Sequence, residues 1–436
     1  MKEIMIAIKK IVTLFIFLGS FFSASSQDNM LNLPDALQKA LKNNYGITIL
    51  KSEREIASLN NNWGTAGRYP TLGLDISSTN NADLLNNSSS NRISGGIGVN
   101  WTLFDGFRVN VTKDKLAKLE NLAQGRLAVV VENTIQDVIL GYYNVLLQKE
   151  QLLVLKKVMS LSRDRYEYEL MRRELGKSLT YNVLQSKNIY LEDSAAYLNQ
   201  QVIVRNAKRN LNFVLGVEPE TNFQFTESFE SDTVDYELGD LLNKMLLSNQ
   251  TLQNQYINLR LQKDEVKLSK SAMYPSVRLS AGLDNSWSRL NNQGIDPSTS
   301  ETVTPYGNVT LSYDIFTGGN RKRAIQVARI NKEIAAIENE EIKHSLTNQL
   351  YNVYDLYNVR KTLLGVAEEG LEAAELNLEI AGKKFKAGAI NSFNYRDIQL
   401  IYVNAALQKL RATYDLISSN TNLTRLTGGF VNEEEE

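Results

Sequence analysis

The side chains that most often carry out chemistry are nearly absent from this sequence. It has no cysteine, which removes thiol nucleophiles, thiolate metal ligands, disulfides and a lipid-carrying N-terminal cysteine. Its one histidine, His344, lies in a Lys-His-Ser stretch of a helical pattern and reads as solvent-facing. A Ser-His-Asp hydrolase would depend on that residue as its base, and no Walker-type glycine loop is present. No enzyme, cofactor or metal site is expected. Arg321-Lys322-Arg323 suits phosphate or lipid head groups, but reads more readily as a solvated helix start. Glu218, Glu220, Glu227, Glu230, Asp232 and Asp235 fall within 216–236 without a lysine or arginine and read as a solvated acidic connector. A net charge of −1 gives no general basic field for nucleic acid.

The elements around these residues are more informative. Lys2, Lys9 and Lys10, the apolar run Ile11 to Phe22 and the small residues Ser23-Ala24-Ser25-Ser26 read as a signal peptide over 1–26. The apolar run is about 12 residues, short of the roughly 20 needed by a spanning helix. No later segment is apolar enough to span as a helix, so any membrane crossing must use strands.

Helical spacing runs from Leu33 to about Ala66 (Leu37, Leu41, Ile47, Leu50, Ile56, Leu59) and stops before Pro70. The period then becomes two. Leu72, Leu74 and Ile76 alternate with Gly73, Asp75 and Ser77, and Ile93 to Leu103 alternates likewise after the polar loop Asn80–Asn91. The return strand exits at Leu103-Phe104-Asp105-Gly106, and a proline-free helical pattern follows. The whole order then recurs. Tyr274-Pro275 matches Tyr69-Pro70, Ile315-Phe316-Thr317-Gly318 matches the first exit, and the halves align without a gap from Gly106/Gly318 to Gly216/Gly428.

The expected organisation is a first repeat over 27–216, with strands near 71–80 and 93–104, a long helix over 105–174 and a return helix over 179–215. The acidic connector takes 217–236. A second repeat spans 237–428, with strands near 276–288 and 304–316, a long helix over 317–386 and a return helix over 391–427; an acidic tail fills 429–436. The fold class is therefore mainly α with membrane β, in two copies of helix, β-hairpin, long helix and helix. Each long helix would measure about 100 Å at 1.5 Å per residue, too long for a globular core. Each strand has an apolar face and a Gly/Ser/Asn/Thr face, the pattern of a membrane barrel or of a soluble sheet with one wet side. Four strands cannot close a barrel, since the smallest have about eight, and an open edge is not tolerated in lipid. Strands must be pooled with further copies of the chain.

On the doubled Tyr-Pro entry (Tyr69-Pro70, Tyr274-Pro275), the doubled Phe-x-Gly exit (Phe104/Gly106, Phe316/Gly318) and the doubled glycine between long and return helices (Gly176, Gly388), the chain resembles the TolC family of outer-membrane efflux proteins. That resemblance implies a homotrimer with a twelve-stranded barrel in the outer membrane of a Gram-negative bacterium. A long α-helical barrel through the periplasm would dock by its tip on an adaptor coupled to an inner-membrane pump. The duct itself would be passive. Aligned on Gly388, the family's two gating carboxylates fall on Asn394 and Asp397, and its tip-locking Tyr and Arg on Phe385 and Ile390. Gly176, Lys177, Ser178, Gly388 and Ala389 are the implied adaptor contacts, though glycines there equally suit plain helix termination. Trp101 and Tyr313 suit an interfacial aromatic belt or ordinary strand packing. A structural or adhesive trimeric coiled-coil surface protein explains the helices but not the doubled hairpins.

Overall fold

The computed structural model describes residues 30–85, 88–292 and 294–432; the signal peptide expected over 1–26 and residues 433–436 of the tail lie outside them. In chain order the elements are β1 (Met30–Leu31), α1 (Leu33–Asn43), α2 (Tyr45–Asn60), β2 (Thr71–Asp83), β3 (Ser88–Phe104), α3 (Arg108–Glu174) and α4 (Thr180–Leu215). They continue with β4 (Gln224–Phe225), α5 (Leu238–Ser248), α6 (Gln250–Ser271), β5 (Ser276–Asn292), β6 (Ile295–Ser312), α7 (Asn320–Lys386), α8 (Ser392–Leu426) and a short α9 (Gly429–Asn432). The chain divides into two compact units. One has Asp137–Asp232, Leu364–Tyr414 and the described residues up to Lys42; the other has Asn43–Gln136, Thr233–Leu363 and the residues from Asp415 on.

The unbroken first helix expected over 33–66 is in fact two. Asn44 and Asn249 stand at equivalent breaks, both extended, with their side-chain oxygens accepting from Ile47 N at 3.2 Å and Leu252 N at 3.0 Å. Each caps an orphan donor of the next helix, so the chain turns without a proline. Asn249 is buried and also donates its amide to Leu426 O at 3.0 Å, which ties the break to α8.

In the second unit the strands form an antiparallel sheet in the order β2-β3-β5-β6. Register puts Leu72, Val99, Ala281 and Gly307 in one row and Leu74, Ile97, Leu283 and Pro305 in the next, on a face that is exposed except for the half-buried Val99 and Ala281. The opposite face carries Thr71, Asn100, Ser280 and Asn308, then Gly73, Gly98, Gly282 and Tyr306, then Asp75, Gly96, Asp284 and Thr304. Tyr306 lies flat across its row. A Cβ on Gly98 or Gly282 would meet its hydroxyl at 2.8 and 2.6 Å.

Both hairpins reach further than alternation alone marks. Asn80 to Asp83 pair with Ser88 to Asn91, and β6 begins at Ile295 rather than near 304. Ladder hydrogen bonds need no apolar face, so polar sequence continues the sheet beyond its apolar band. β6 also stops at Ser312 and not at 316: Arg321 donates to the Asp314 carbonyl at 2.6 Å and to its carboxylate at 2.7 Å, drawing that backbone off the ladder. Pro305 is tolerated because β6 is an edge strand within the chain.

In the first unit the core joins Leu31, Ala36, Val138, Tyr142, Val145, Leu211, Leu215 and Phe223. The acidic connector is not merely solvated. β4 pairs in parallel with β1, Phe223 is buried, Phe225 and Phe229 pack on the same cluster, and Glu227 accepts from Leu33 N at 2.8 Å. Aromatics between the acids anchor the segment, which charge counting overlooks. Tyr142 donates to Leu31 O at 2.8 Å, and burial pushes its phenol up to about 12.

Candidate functional site

Two regions hold the residues singled out by sequence. The first is the strand-to-helix junction of the second unit. Gly106 is buried at φ +69°, where a Cβ would sit 2.3 Å from Ser271 O and 2.9 Å from the Tyr274 Cβ. Phe104 ends β3 and meets Phe107 edge-on at 5.3 Å; Phe107 in turn meets Tyr274 at 6.0 Å. Phe107 itself has φ 69°, an uncommon conformation for a bulky residue. The second copy is looser: Phe316 is exposed, and Gly318, at φ +60°, has open space around it. Pro70 and Pro275 immediately precede β2 and β5. Trp101, on the apolar face, donates its indole N–H to Arg68 O at 2.9 Å. Tyr313 lies one residue past β6 with the Arg321 guanidinium 5.7 Å from its ring centre.

The second region is the pair of turns joining long and return helices in the first unit. Both are αL-terminated. Gly176 (φ 73°) donates to Arg173 O and Lys177 to Arg172 O; Gly388 (φ 74°) donates to Phe385 O and Ala389 to Lys384 O. This 5→2 and 6→1 pairing is a Schellman ending, repeated in both halves. A Cβ on either glycine meets nothing, so φ alone selects glycine. Ser178 donates to the buried Glu169 carboxylate at 2.5 Å. Lys177 is exposed.

Of the gate candidates, Asn394 and Asp397 are exposed on α8 and Ile390 is half-buried in the turn. Phe385 is different. It is buried, stacked on Tyr395 at 4.8 Å and edge-on to Tyr168 at 5.1 Å. Asp397 borders a cleft of about 200 Å³ with Arg165, Ser186, Ser392 and Arg396. Sequence reasoning missed Arg165, Asp193 and Arg396. Arg396 grips Asp193 with two hydrogen bonds of 2.8 Å, and Arg165 is fully buried with one weak bond to Ser392 O at 3.4 Å. Their partners lie up to 227 residues away, so no local pattern announces them.

The most perturbed carboxyl is in the second unit. Burial pushes Glu132 up to about 7, against the opposing pull of Arg425. The folded state holds that proton more tightly than the unfolded chain, so stability should fall as pH rises from about 4.5 to about 7. Glu132→Gln should remove a slope of up to about 1.4 kcal/mol per pH unit. Unfolding followed between pH 5 and 8 tests this; an unchanged slope in the variant would assign the dependence elsewhere.

No helix among the described residues is long and apolar enough to cross a membrane, and no acid–histidine cluster suited to a metal occurs among them. An exposed apolar sheet face, two repeated hairpins and twin long helices with matched glycine turns agree with what known proteins show. The model of the outer membrane efflux protein family matches residues 36–217 and 241–429. The chain belongs to that family. A probable outer membrane lipoprotein, SilC of Salmonella typhimurium, is 20% identical over 400 residues, covering 90% of this chain and 85% of the relative. The crystal structure of CusC matches with a TM-score of 0.75 at 15% identity, over 94% of this chain and 95% of that one. The Campylobacter jejuni CmeC outer membrane channel matches with 0.73 at 17% identity, over 91% and 85%. These two structures share the TolC-like fold of this chain, and this family member is an outer-membrane protein.

Proposed function

We propose that this chain is the passive exit duct of a tripartite efflux or type I secretion system. It works as a homotrimer whose hairpins close a twelve-stranded barrel and whose helices form a periplasmic tunnel. The observation that carries this reading is the sheet with β2 and β6 as its edges and an exposed apolar face. The apolar face suits contact with lipid, where unpaired strand edges are unstable unless neighbouring copies complete the ring. Trp101 and Tyr313 then lie at the level of the lipid head groups, beside the strand exits marked by Phe104, Gly106, Phe316 and Gly318.

The glycine turns, with Lys177, Ser178 and Ala389, form the tip that meets a periplasmic adaptor, which links the duct to an inner-membrane pump. Asp397 supplies one ring of three carboxylates at the mouth, where Asn394 provides no second charge. Such a ring raises cation occupancy in a narrow opening. Phe385 belongs to the packing behind the mouth and Ile390 to its turn.

Native mass spectrometry and planar-bilayer recording of the detergent-extracted protein test the reading together. A trimer that conducts is expected, and Asp397→Asn should lower its cation preference about twofold or more by removal of three charges. A stable monomer would remove the duct, and a trimer without conductance would favour the adhesive coiled-coil protein; a conducting trimer with unaltered selectivity would remove only the ring.

A further inference from the structure

A cleft of about 500 Å³ opens where the sheet of the second unit meets its helices, and three arginines, Arg108, Arg278 and Arg321, line it. We propose that this cleft is a binding site for an anionic solute, one bearing a phosphate or carboxylate group, on the polar side of the sheet. The inference rests on the duct reading in one respect: that side is taken to line the water-filled passage.

The charge count inside the cleft supports an anion. Two carboxylates also line it, Asp105 and Asp314, so three arginines stand against two acids and the lining keeps a formal charge of +1. Asp314 is held by Arg321 at 2.7 Å, and Asp105 accepts from Val109 N at 3.4 Å within the first turn of α3. Arg321 is thereby fixed in place. Arg108 and Arg278 have no hydrogen-bond or ion-pair partner among the described residues, so their guanidinium forks remain available. Tyr274, Ser276, Thr102 and Ser312 add hydroxyls around the same space. A planar fork bonds carboxylate or phosphate oxygens in pairs, which a lone ammonium cannot do.

Register decides which side of the membrane wall the cleft faces. Arg278 pairs with Thr102 and Thr310, and Ser276 with Ser312, all on the face opposite Trp101, Leu279 and Leu311. The lipid-facing band is therefore on the other surface, which favours a dissolved anion over a lipid phosphate. Along β5 the next charge on the polar face is Asp284, six residues from Arg278 and roughly 20 Å away at about 3.3 Å per residue. The positive cleft is not neutralised from that strand.

The test uses the full-length protein with inorganic phosphate as probe. Binding to detergent-solubilised protein is measured by calorimetry, and phosphate block of chloride current by bilayer recording. Saturable binding and block are expected in the native protein. Arg278→Gln and Arg108→Gln should each weaken both about tenfold, the worth of one charge-assisted hydrogen bond. Arg329→Gln, a cation on α7 outside the cleft, should change neither. Conductance that persists in the variants shows them folded. Absence of saturable binding, or equal binding in all variants, overturns the site. A phospholipid that co-purifies with the native chain and is lost in Arg278→Gln overturns the solute assignment. If phosphate binds but the native protein does not conduct, the duct reading fails while the anion site stands.

Discussion

Gly106→Ala is expected to cost about 3 kcal/mol or more of stability, while Gly318→Ala costs about 1 kcal/mol. Both glycines are left-handed, so each alanine carries the backbone penalty. Only at Gly106 does the new methyl also meet a backbone oxygen, 2.3 Å away, with the Tyr274 Cβ at 2.9 Å. Backbone cannot rotate aside as a side chain does. Either the end of α6 moves, breaking the Tyr274 N to Ser271 O bond of 3.1 Å, or the first strand exit is displaced. Denaturant unfolding of the two variants, with the yield of folded protein in membranes, reads the difference. Equal losses would mean that φ alone sets the requirement.

Asp193→Ala is expected to destabilise the first unit by about 2–4 kcal/mol, toward the cost of stripping one partner from a buried ion pair, since this pair is mostly shielded from water. Its carboxylate takes both arms of Arg396, with side-chain exposures of 12% and 14%. Beside them Arg165 is 2% exposed, and two of its guanidinium nitrogens have no partner among the described residues. Burial, reinforced by the charge of Arg396, lowers Arg165 to about 10, while Asp193 and Glu169 pull the other way. Without Asp193, the like charges of Arg165 and Arg396 would be left with less opposing charge beside them, that of Glu169 remaining. The double variant Asp193→Ala with Arg396→Leu should recover part of the loss. Thermal unfolding of the single and double variants measures it; a single variant within about 0.5 kcal/mol of the native protein would show the pair to be a surface-like contact.

Much of the architecture is legible because a repeat shows every element twice. Strand alternation, the glycines at 106 and 318 and the gapless run to Gly428 point to the hairpins and to helices as long as α3 and α7. What escapes has a physical cause in each case. The breaks at Asn44 and Asn249 are hidden because helical spacing continues through an asparagine whose cap leaves no hydrophobic signature. The polar reach of both hairpins is invisible to alternation, since no buried face marks it. Charge counting reads the connector as solvated although Phe223, Phe225 and Phe229 fasten it. The Arg396–Asp193 pair spans 203 residues, and the cleft gathers Arg108, Arg278 and Arg321 from three elements. Sequence locality has nothing to say about either.

Tyr306 across its glycines bears on how the sheet finds its alignment. Alternating apolar residues forbid a slip of one residue, which would turn every leucine to the wrong face. They do not forbid a slip of two, which restores both faces. After such a slip, Tyr306 would lie beside Ser280 or Asp284 instead of Gly282, and a Cβ would occupy the space its ring now fills. The aromatic ring and the small residues beneath it thus act as a steric key for even-numbered errors. Hydrophobicity proofreads the odd slips and shape proofreads the even ones, so each strand pairs in one frame within the chain itself.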